Sequence, residues 1–289
     1  MPSPDPLAVN PVLQRLQQQQ PLVAVELRPP RRDLPADQGM DAWIDMYHAV
    51  RGVARNDTMV FLTDNAVGDV EEENLRHLVT NLAGDVSAAK LVPFLTLKHS
   101  LDYCLMYADR AVSHGFHALT VLGGDRTVGP PRCLEYAYML RGKLRARHTD
   151  LVLGGWANPH RDASQQVDYL LNREFNAEFY LTQVVSHHDL PAVERFVNET
   201  ARRGLTAPGV FGVFLYRSAN PATLDKLAQF FPVPRAGVRA DFATGATPEE
   251  ICAKTIRSLG ELGVAKVYVS NLGYRRPEVR YRKLLRALG

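Results

Sequence analysis

The segment Leu22-Val23-Ala24-Val25-Glu26-Leu27 is an apolar run of strand length that carries one charged side chain near its end. Similar apolar runs recur along the 289-residue chain, at residues 59–63, 91–97, 118–122, 151–156, 179–185, 210–216 and 266–270. Continuous apolar runs of this kind are typical of parallel strands that are covered on both faces. The sequence therefore predicts eight parallel strands.

Amphipathic stretches of helical length separate these runs, at residues 40–55, 70–83, 100–114, 132–147, 162–175, 189–203, 221–231 and 248–262, and a ninth at 277–288 closes the chain. Cap residues support several of them, since Asn220-Pro221 and Thr247-Pro248-Glu249-Glu250 are typical of helix starts. Two architectures fit this alternation, an open doubly wound sheet and a closed barrel. Eight units in a chain of this length favour the closed form, so we predict an α/β fold with one domain, a (β/α)8 TIM barrel over residues 22–289.

The first 21 residues have a different composition. Four prolines precede Pro21, and residues 17–20 are all glutamine. Such a composition is typical of a terminal segment with little fixed structure. We therefore predict a flexible N-terminal arm over residues 1–21, with one or two helical turns around residues 12–16.

Composition and charge indicate an ordinary globular protein. Hydrophobic residues make up 46% of the chain, charged residues make up 22%, and the net charge is only +3. We expect no nucleic-acid partner, because no aromatic platform accompanies the basic residues. No run approaches 18 apolar residues and no signal pattern begins the chain, so we expect a soluble, cytoplasmic protein without a membrane partner.

Three scattered cysteines predict neither a disulfide framework nor a zinc site.

His187-His188-Asp189 follow the sixth apolar run and could suggest a metal site. Adjacent histidines at a strand exit are expected to point in different directions, and no further ligands follow at regular spacing. We interpret these residues as loop and cap residues and predict no metal site.

Polar side chains stand where nearly every predicted strand ends. A barrel has its active site at the C-terminal strand ends, where the βα loops converge. Any one of these residues could be a helix cap or a turn residue, but the whole ring predicts an active site at this end. The residues are Glu26, Thr63, Asp64, Thr96, Lys98, Asp125, Asn158, His160, Gln183, Tyr216 and Asn271.

Glu26 is the most informative residue of this ring. A carboxylate near the mouth of a barrel loses hydration, which raises its pKa towards the range of a useful general acid. Pro29 and Pro30 stiffen the chain just after it. The alternative is a glutamate at a strand end that pairs with a neighbouring arginine.

Six segments resemble, in order, motifs of the methylenetetrahydrofolate reductase family. Residues 25–31, VELRPPR, are similar to "FEFFPP(K/R)" on the first strand of that family. The other segments are LTDNAVG (62–68), LTVLGGD (119–125), WANPHRDA (156–163), YLTQ (180–183) and VYVSN (267–271). The resemblance implies a barrel oxidoreductase that converts 5,10-methylenetetrahydrofolate to 5-methyltetrahydrofolate in methionine biosynthesis.

The resemblance also implies roles for individual residues. Glu26 would protonate the folate during ring opening, and Asp125 would lie beside the pterin and stabilise the cationic intermediate as the second catalytic residue. Folate would be the small-molecule partner, and a nicotinamide nucleotide would bind beside it. The resemblance implies Thr63 and Gln183 as substrate-binding residues. From their places at the strand ends we also expect Tyr216 and Asn271 to bind substrate and Asp64 and His160 to bind the cofactor. Two roles are open for Tyr216, stacking on an aromatic ligand and plugging the top of the barrel.

Three departures from the family pattern concern flavin. Phe94 stands where the family has a histidine that contacts the flavin, Gly123 replaces an arginine, and Asn172 replaces a lysine that binds flavin phosphate. We therefore expect hydride to pass directly from NADH or NADPH to the folate, without bound FAD. Two alternatives are an FAD-dependent reductase of the same family and a non-catalytic barrel that binds a pterin.

Overall fold

The computed structural model describes residues 7, 9–30, 34–64, 85–127, 129–273 and 276–289. Its strands pair in chain order around a closed parallel barrel, and the last strand pairs with the first. This confirms the predicted (β/α)8 barrel. The strands are β1 (Leu22–Leu27), β2 (Val60–Leu62), β3 (Leu91–Thr96), β4 (Ala118–Leu122), β5 (Val152–Ala157), β6 (Phe179–Val185), β7 (Gly209–Phe214) and β8 (Lys266–Ser270).

Helices follow the strands as the periodicity predicts, with small shifts at their ends. The helices are α1 (Pro11–Gln17), α2 (Ala36–Ala54), α3 (Leu101–Ser113), α4 (Ala137–Arg147), α5 (Ala163–Leu171), α6 (Leu190–Arg202), α7 (Pro221–Leu227), α8 (Arg235–Ala243), α9 (Pro248–Glu261) and α10 (Pro277–Leu288). Short 3-10 helices lie at Ala88–Lys90 and Arg173–Phe175. The helix predicted at 70–83 lies outside the described residues, and α8 was not predicted.

Large side chains fill the barrel interior, and glycines on neighbouring strands make room for them. Phe61, Phe179 and Tyr268 are almost fully buried there. A Cβ at Gly154 would lie 2.4 Å from the Phe179 ring, and a Cβ at Gly212 would lie 2.6 Å from the Tyr268 hydroxyl. The interior is therefore a packed core, as expected for an eight-stranded barrel.

The N-terminal end of the barrel is closed by α1. Val12 and Leu16 on this helix are fully buried, and they belong to the same apolar cluster as the barrel interior. Asn10 caps the helix by accepting from Val12 N and Leu13 N, and its Nδ2 donates to His117 O at 2.8 Å. His117 directly precedes β4, so this bond fastens α1 to the barrel rim. The helical turns predicted around residues 12–16 are present as α1, whose apolar face is buried against the barrel, and the flexibility of the arm over residues 1–21 stays a prediction.

No described helix is both long enough and apolar enough to cross a membrane.

Candidate active site

Glu26 lies at the C-terminal end of β1 and faces the barrel interior. Its Oε1 accepts a hydrogen bond of 2.8 Å from Ser270 Oγ, at the end of the adjacent strand β8. The side chain keeps part of its surface open to the mouth, while protein atoms surround the carboxyl on its other sides. Burial raises the pKa of Glu26 above the ordinary glutamate value, and the Ser270 bond and the nearby Arg28 lower it by less. The carboxyl therefore tends to keep its proton.

We call the open C-terminal end of the interior the barrel mouth, and define it by Glu26, Thr63, Trp156, Phe214 and Ser270. These residues continue the inward-facing alternation of their strands beyond the buried interior cluster. Trp156 is 37% exposed although it lies within β5, so its ring is available to a ligand. Sequence reasoning quoted this tryptophan in a motif but gave it no role. Its inward parity with Val152 and Gly154 is the signal that could have identified it.

Asp64, predicted to bind a cofactor, pairs instead with a histidine of the next loop. The His99 Nε2 atom lies 2.9 Å from Asp64 Oδ2, and both side chains are more than nine-tenths buried. Asp64 Oδ2 also accepts from Thr96 N at 2.6 Å, and the His99 ring packs on Tyr103. The carboxylate is therefore satisfied within the protein, and His99 had no sequence signal beyond its place after β3.

Asp125, predicted as a catalytic residue, lies in the loop after β4. Its Oδ1 accepts from Thr127 N at 2.7 Å and from Thr127 Oγ1 at 2.8 Å. Arg132 is close enough for its charge to interact with Asp125, and its guanidinium donates to Gly124 O. A Cβ at Gly123 would lie 2.7 Å from Arg132 Cζ. Because Gly123 has no side chain, the guanidinium of Arg132, further along the same loop, occupies the space beside it.

Gln183 lies in an irregular part of β6, where the pairing with β7 shifts between Leu181 and Val184. Its Oε1 accepts from Val184 N at 2.9 Å, so the amide oxygen predicted to bind substrate satisfies the chain's own backbone. Tyr268 Oη donates to Thr182 O at 2.6 Å in the same segment. The bulge is thus held from inside the barrel, as bulges near active sites commonly are.

Three further predicted residues lie outside the barrel mouth. Tyr216 is 6% exposed and packs with Leu224 and Val238 under α7 and α8, beside the Phe214 ring, so its contact with substrate stays a prediction. Asn271 has a left-handed backbone conformation with φ of 71°, and its Nδ2 donates to Leu215 O. His160 Nε2 lies 2.9 Å from Val184 O, a contact that ties the β5 loop to β6. We assign Asn271 and His160 to the support of the rim.

Phe94 and Asn172, the residues that departed from the flavin pattern, are both engaged in the fold. Phe94 is 6% exposed inside the barrel, with its ring centroid 6.2 Å from that of Phe61. Asn172 caps the 3-10 helix that follows α5 by accepting from Glu174 N at 2.8 Å.

The prediction that His187 and His188 point in different directions is wrong. Both Nε2 atoms approach the same carboxylate oxygen of Asp241, at 3.0 Å and 2.8 Å. Asp241 lies on α8, the helix that was not predicted, so no sequence spacing could indicate this contact.

A cavity of about 260 Å³ lies beside the ends of β7 and β8. Its cationic lining residues are Arg217, Arg276, Arg280 and Lys283, and Glu249 supplies one carboxylate. Arg276, Arg280 and Lys283 belong to the basic C-terminal run at residues 275–286, in which Arg275 lies outside the described residues.

No family model and no curated protein matches the chain. Solved structures do match in fold. The sialic acid aldolase of Ruminococcus gnavus matches with a TM-score of 0.50 at 9% identity, over 91% of this chain and 72% of that one. The N-acetylneuraminate lyase of Mycoplasma synoviae matches at 0.52 and 10%, over 95% and 80%. The carboxyl transferase domain of Rhizobium etli pyruvate carboxylase, solved with pyruvate, matches at 0.54 and 11%, over 98% of this chain and 49% of that chain.

The chain has the fold of TIM-barrel enzymes. The comparisons contradict the predicted reduction of methylenetetrahydrofolate, since these structures are an aldolase, a lyase and a carboxyl transferase rather than reductases. The assignment to oxidoreductases of one-carbon metabolism is therefore wrong. The direct transfer of hydride to the folate falls with that reaction. The family resemblance itself, a nicotinamide cofactor, the expected lack of FAD and the folate partner stay predictions. At these identities the likeness establishes the fold, and the reaction has to be argued from the site.

Proposed function

We propose that the protein is a lyase that breaks or forms a carbon–carbon bond beside the carbonyl group of a small oxo acid, with Glu26 as the proton donor. One observation carries the proposal. Burial raises the pKa of the Glu26 carboxyl, which faces the open end of the barrel and accepts a hydrogen bond from Ser270 Oγ. A carboxyl with a raised pKa at an accessible position is suited to proton transfer.

Carbon–carbon cleavage beside a carbonyl drives an electron pair towards the carbonyl oxygen. A protonated Glu26 carboxyl that donates its proton to this oxygen lets an enol form in place of the less stable enolate. The hydroxyl of the departing fragment gives its proton to water, and that fragment leaves as a carbonyl compound. Ser270 Oγ donates to Oε1, so Oε2 is the oxygen left to carry the proton. The serine thereby orients the acid towards the mouth.

The substrate class rests on the mouth and on the matching enzymes. The exposed ring of Trp156 offers an apolar face for a small organic molecule. Two matching structures are enzymes of sialic acid, which is an oxo acid, and the third is a carboxyl transferase with pyruvate. These likenesses support the proposed substrate class only by analogy of fold.

A lysine Schiff base would be a different route to the same bond cleavage. Lys266 begins β8 at the opposite end of the barrel, with its amine on Gln18 O. Lys98 lies two residues beyond β3 and continues the inward alternation of Val92 and Phe94, but it is buried and its Nζ donates to Pro130 O at 2.9 Å. We therefore expect borohydride treatment with pyruvate to leave the protein unmodified, as judged by its intact mass.

Proton exchange tests the proposal without requiring the full reaction. Pyruvate in D2O is incubated with the protein, and the loss of its methyl proton signal is followed by NMR, alongside cleavage of N-acetylneuraminate. Wild-type protein is expected to accelerate exchange over buffer. Glu26→Gln is expected to lower the enzyme-dependent rate by about 100-fold or more, in the range that general acids supply.

The matched control is Glu261→Gln, which removes an exposed carboxylate at the end of α9. It should exchange pyruvate at the wild-type rate. The proposal is rejected if folded wild-type protein neither exchanges pyruvate nor cleaves N-acetylneuraminate faster than buffer, or if Glu26→Gln retains the full rate.

A further inference from the structure

A cluster of two imidazoles and one carboxylate lies apart from the barrel mouth, at the exit of β6. His187 and His188 belong to the loop between β6 and α6, Asp241 lies on α8, and Thr255 lies on α9. The cluster therefore joins a barrel loop to two helices of the outer layer. The proposed lyase chemistry uses none of these residues.

The potential ligand atoms converge closely. Asp241 Oδ2 lies 3.0 Å from His187 Nε2 and 2.8 Å from His188 Nε2, and the three atoms lie within 4.8 Å of one another. The side chains of His187 and Asp241 are 6% and 11% exposed, and that of His188 is 24% exposed. The cluster is thus largely shielded, with one side open to solvent through His188.

The hydrogen bonds of Thr255 fix the tautomer of His187. Thr255 Oγ1 donates to Ile251 O in the preceding helical turn, so it accepts from His187 Nδ1–H, 2.8 Å away. A neutral His187 then has only a lone pair at Nε2. This buried Nε2 atom has no hydrogen-bond partner in the described part of the chain, and it faces a carboxylate oxygen.

Two acceptor atoms 3.0 Å apart repel each other unless a positive species lies against both. The His187 and His188 rings lie side by side, with centroids 3.9 Å apart, and both present Nε2 to Asp241 Oδ2. Lys254 Nζ lies 3.0 Å from the other carboxylate oxygen, Oδ1, and leaves Oδ2 to the two imidazoles. A metal ion against Nε2 and Oδ2 would supply the positive charge between these atoms.

The surroundings are shaped to hold the ligands in place. A Cβ at Gly237 on α8 would lie 2.5 Å from the His188 ring, so only glycine lets this ring approach Asp241. Lys254 occupies Oδ1 and leaves Oδ2 for an ion, and Thr255 orients His187. Outer partners of this kind commonly orient metal ligands in proteins.

We propose that His187 Nε2, His188 Nε2 and Asp241 Oδ2 bind one divalent transition-metal ion, with Zn²⁺ as the best match. Two imidazoles and one carboxylate are a donor set that Zn²⁺ accepts, and they leave a fourth position for water or a ligand. The ion would tie the β6 loop to α8 at the rim of the barrel.

Metal titration of the full chain tests this proposal. The protein is purified without a histidine tag, freed of metal with a chelator, and titrated with Co²⁺ followed by visible absorption, and with Zn²⁺ by calorimetry. One equivalent is expected to bind, with the visible band of a low-symmetry Co²⁺ site. His187→Ala and Asp241→Ala are expected to weaken binding by at least about 100-fold, and Thr255→Val by about 10–100-fold because the ligand loses its orientation.

The matched control is His148→Ala. His148 forms a comparable pair with Asp109 at 2.8 Å, but that carboxylate is shared with Arg147, and no second histidine of the described residues pairs with it. This variant should bind Co²⁺ as the wild type does. Circular dichroism of each variant separates lost ligands from lost structure, and Thr255→Val retains all three ligand residues while it removes the hydrogen bond that orients His187. Absence of one-equivalent binding in the wild type, or full affinity in folded His187→Ala, would overturn the proposal.

Discussion

The two ends of the barrel are built in opposite ways. At the N-terminal end, α1 places Val12 and Leu16 against the interior and closes it with apolar side chains. At the C-terminal end, Glu26 and Trp156 face an open mouth. The comparison shows how closure of one end affects the other. The apolar interior beneath Glu26 keeps water away from one side of its carboxyl. Desolvation from below then raises the pKa, while the open side admits a substrate.

The largest effect is expected from opening the sealed end. Leu16→Ala removes a fully buried side chain from the cluster that includes the barrel interior. We expect the free energy of unfolding, measured with urea, to fall by about 2–5 kcal/mol. Gln17→Ala changes the exposed neighbour and should stay within about 0.5 kcal/mol of wild type. Equal stability of both variants would mean that α1 does not close the barrel.

The hydrogen bonds that Asn10 makes at the start of α1 are expected to contribute less to the free energy of unfolding than the packing of Leu16. Asn10 caps α1 and also donates to the backbone at His117 and Asp150. Asn10→Ala is expected to cost about 1–2 kcal/mol, since it removes a cap and leaves backbone groups without a partner. Asn10→Ser keeps a capping oxygen and loses the amide donor to the two carbonyl groups, so its cost in the same urea experiment should lie between those of alanine and wild type. A cost for serine as large as for alanine would contradict this division.

At the C-terminal end of the barrel, substitution of Glu26 is expected to raise the stability of the protein, in contrast to the substitutions in α1. Because the pKa of Glu26 is raised in the folded protein, the contribution of this residue to the free energy of unfolding is complete below the ordinary glutamate pKa. That contribution is lost as the pH rises through the raised pKa of the folded protein. Glu26→Gln does not titrate, so at pH 8 its melting temperature should exceed that of wild type by about 2–4 °C. At pH 4 the gain should vanish. A gain of the same size at both values would rule out a titration effect.

Ser270 should shift the pH dependence in a defined direction. Its hydrogen bond stabilises the ionised carboxylate and lowers the pKa of Glu26. Ser270→Ala should therefore raise that pKa and move the alkaline decline of pyruvate exchange to higher pH. A move to lower pH would show that the serine acts on the neutral acid instead.

The sequence predicted the barrel well because apolar strand runs repeat without interruption. It missed α8 because Pro232, Pro234 and Gly237 are typical of a loop, and the glycine is required there by the His188 ring. The proline- and glutamine-rich start similarly hid the buried face of α1, which only the barrel interior reveals. In both segments the helix is stabilised by contacts with residues far away in the sequence, and local composition does not indicate such contacts.

Individual site residues were harder to predict than the strands. Polar residues are favoured at strand ends in any barrel, as caps and rim bonds, and this is how Gln183 and Asn271 are used here. A series of family-like segments in the correct order can therefore reflect the shared architecture without the shared reaction. Glu26 was identified from its apolar surroundings alone, and that argument does not depend on the resemblance.

The most direct test of the account is the protonation state of Glu26. Infrared difference spectra of wild type minus Glu26→Gln, recorded across a pH series, isolate the carbonyl band of one protonated carboxylic acid. The account predicts that this band persists above the pH at which ordinary glutamates ionise, and that it persists to higher pH in Ser270→Ala. A band that disappears at the ordinary glutamate pKa would contradict the account, because Glu26 would then be ionised under working conditions and could not donate the proton.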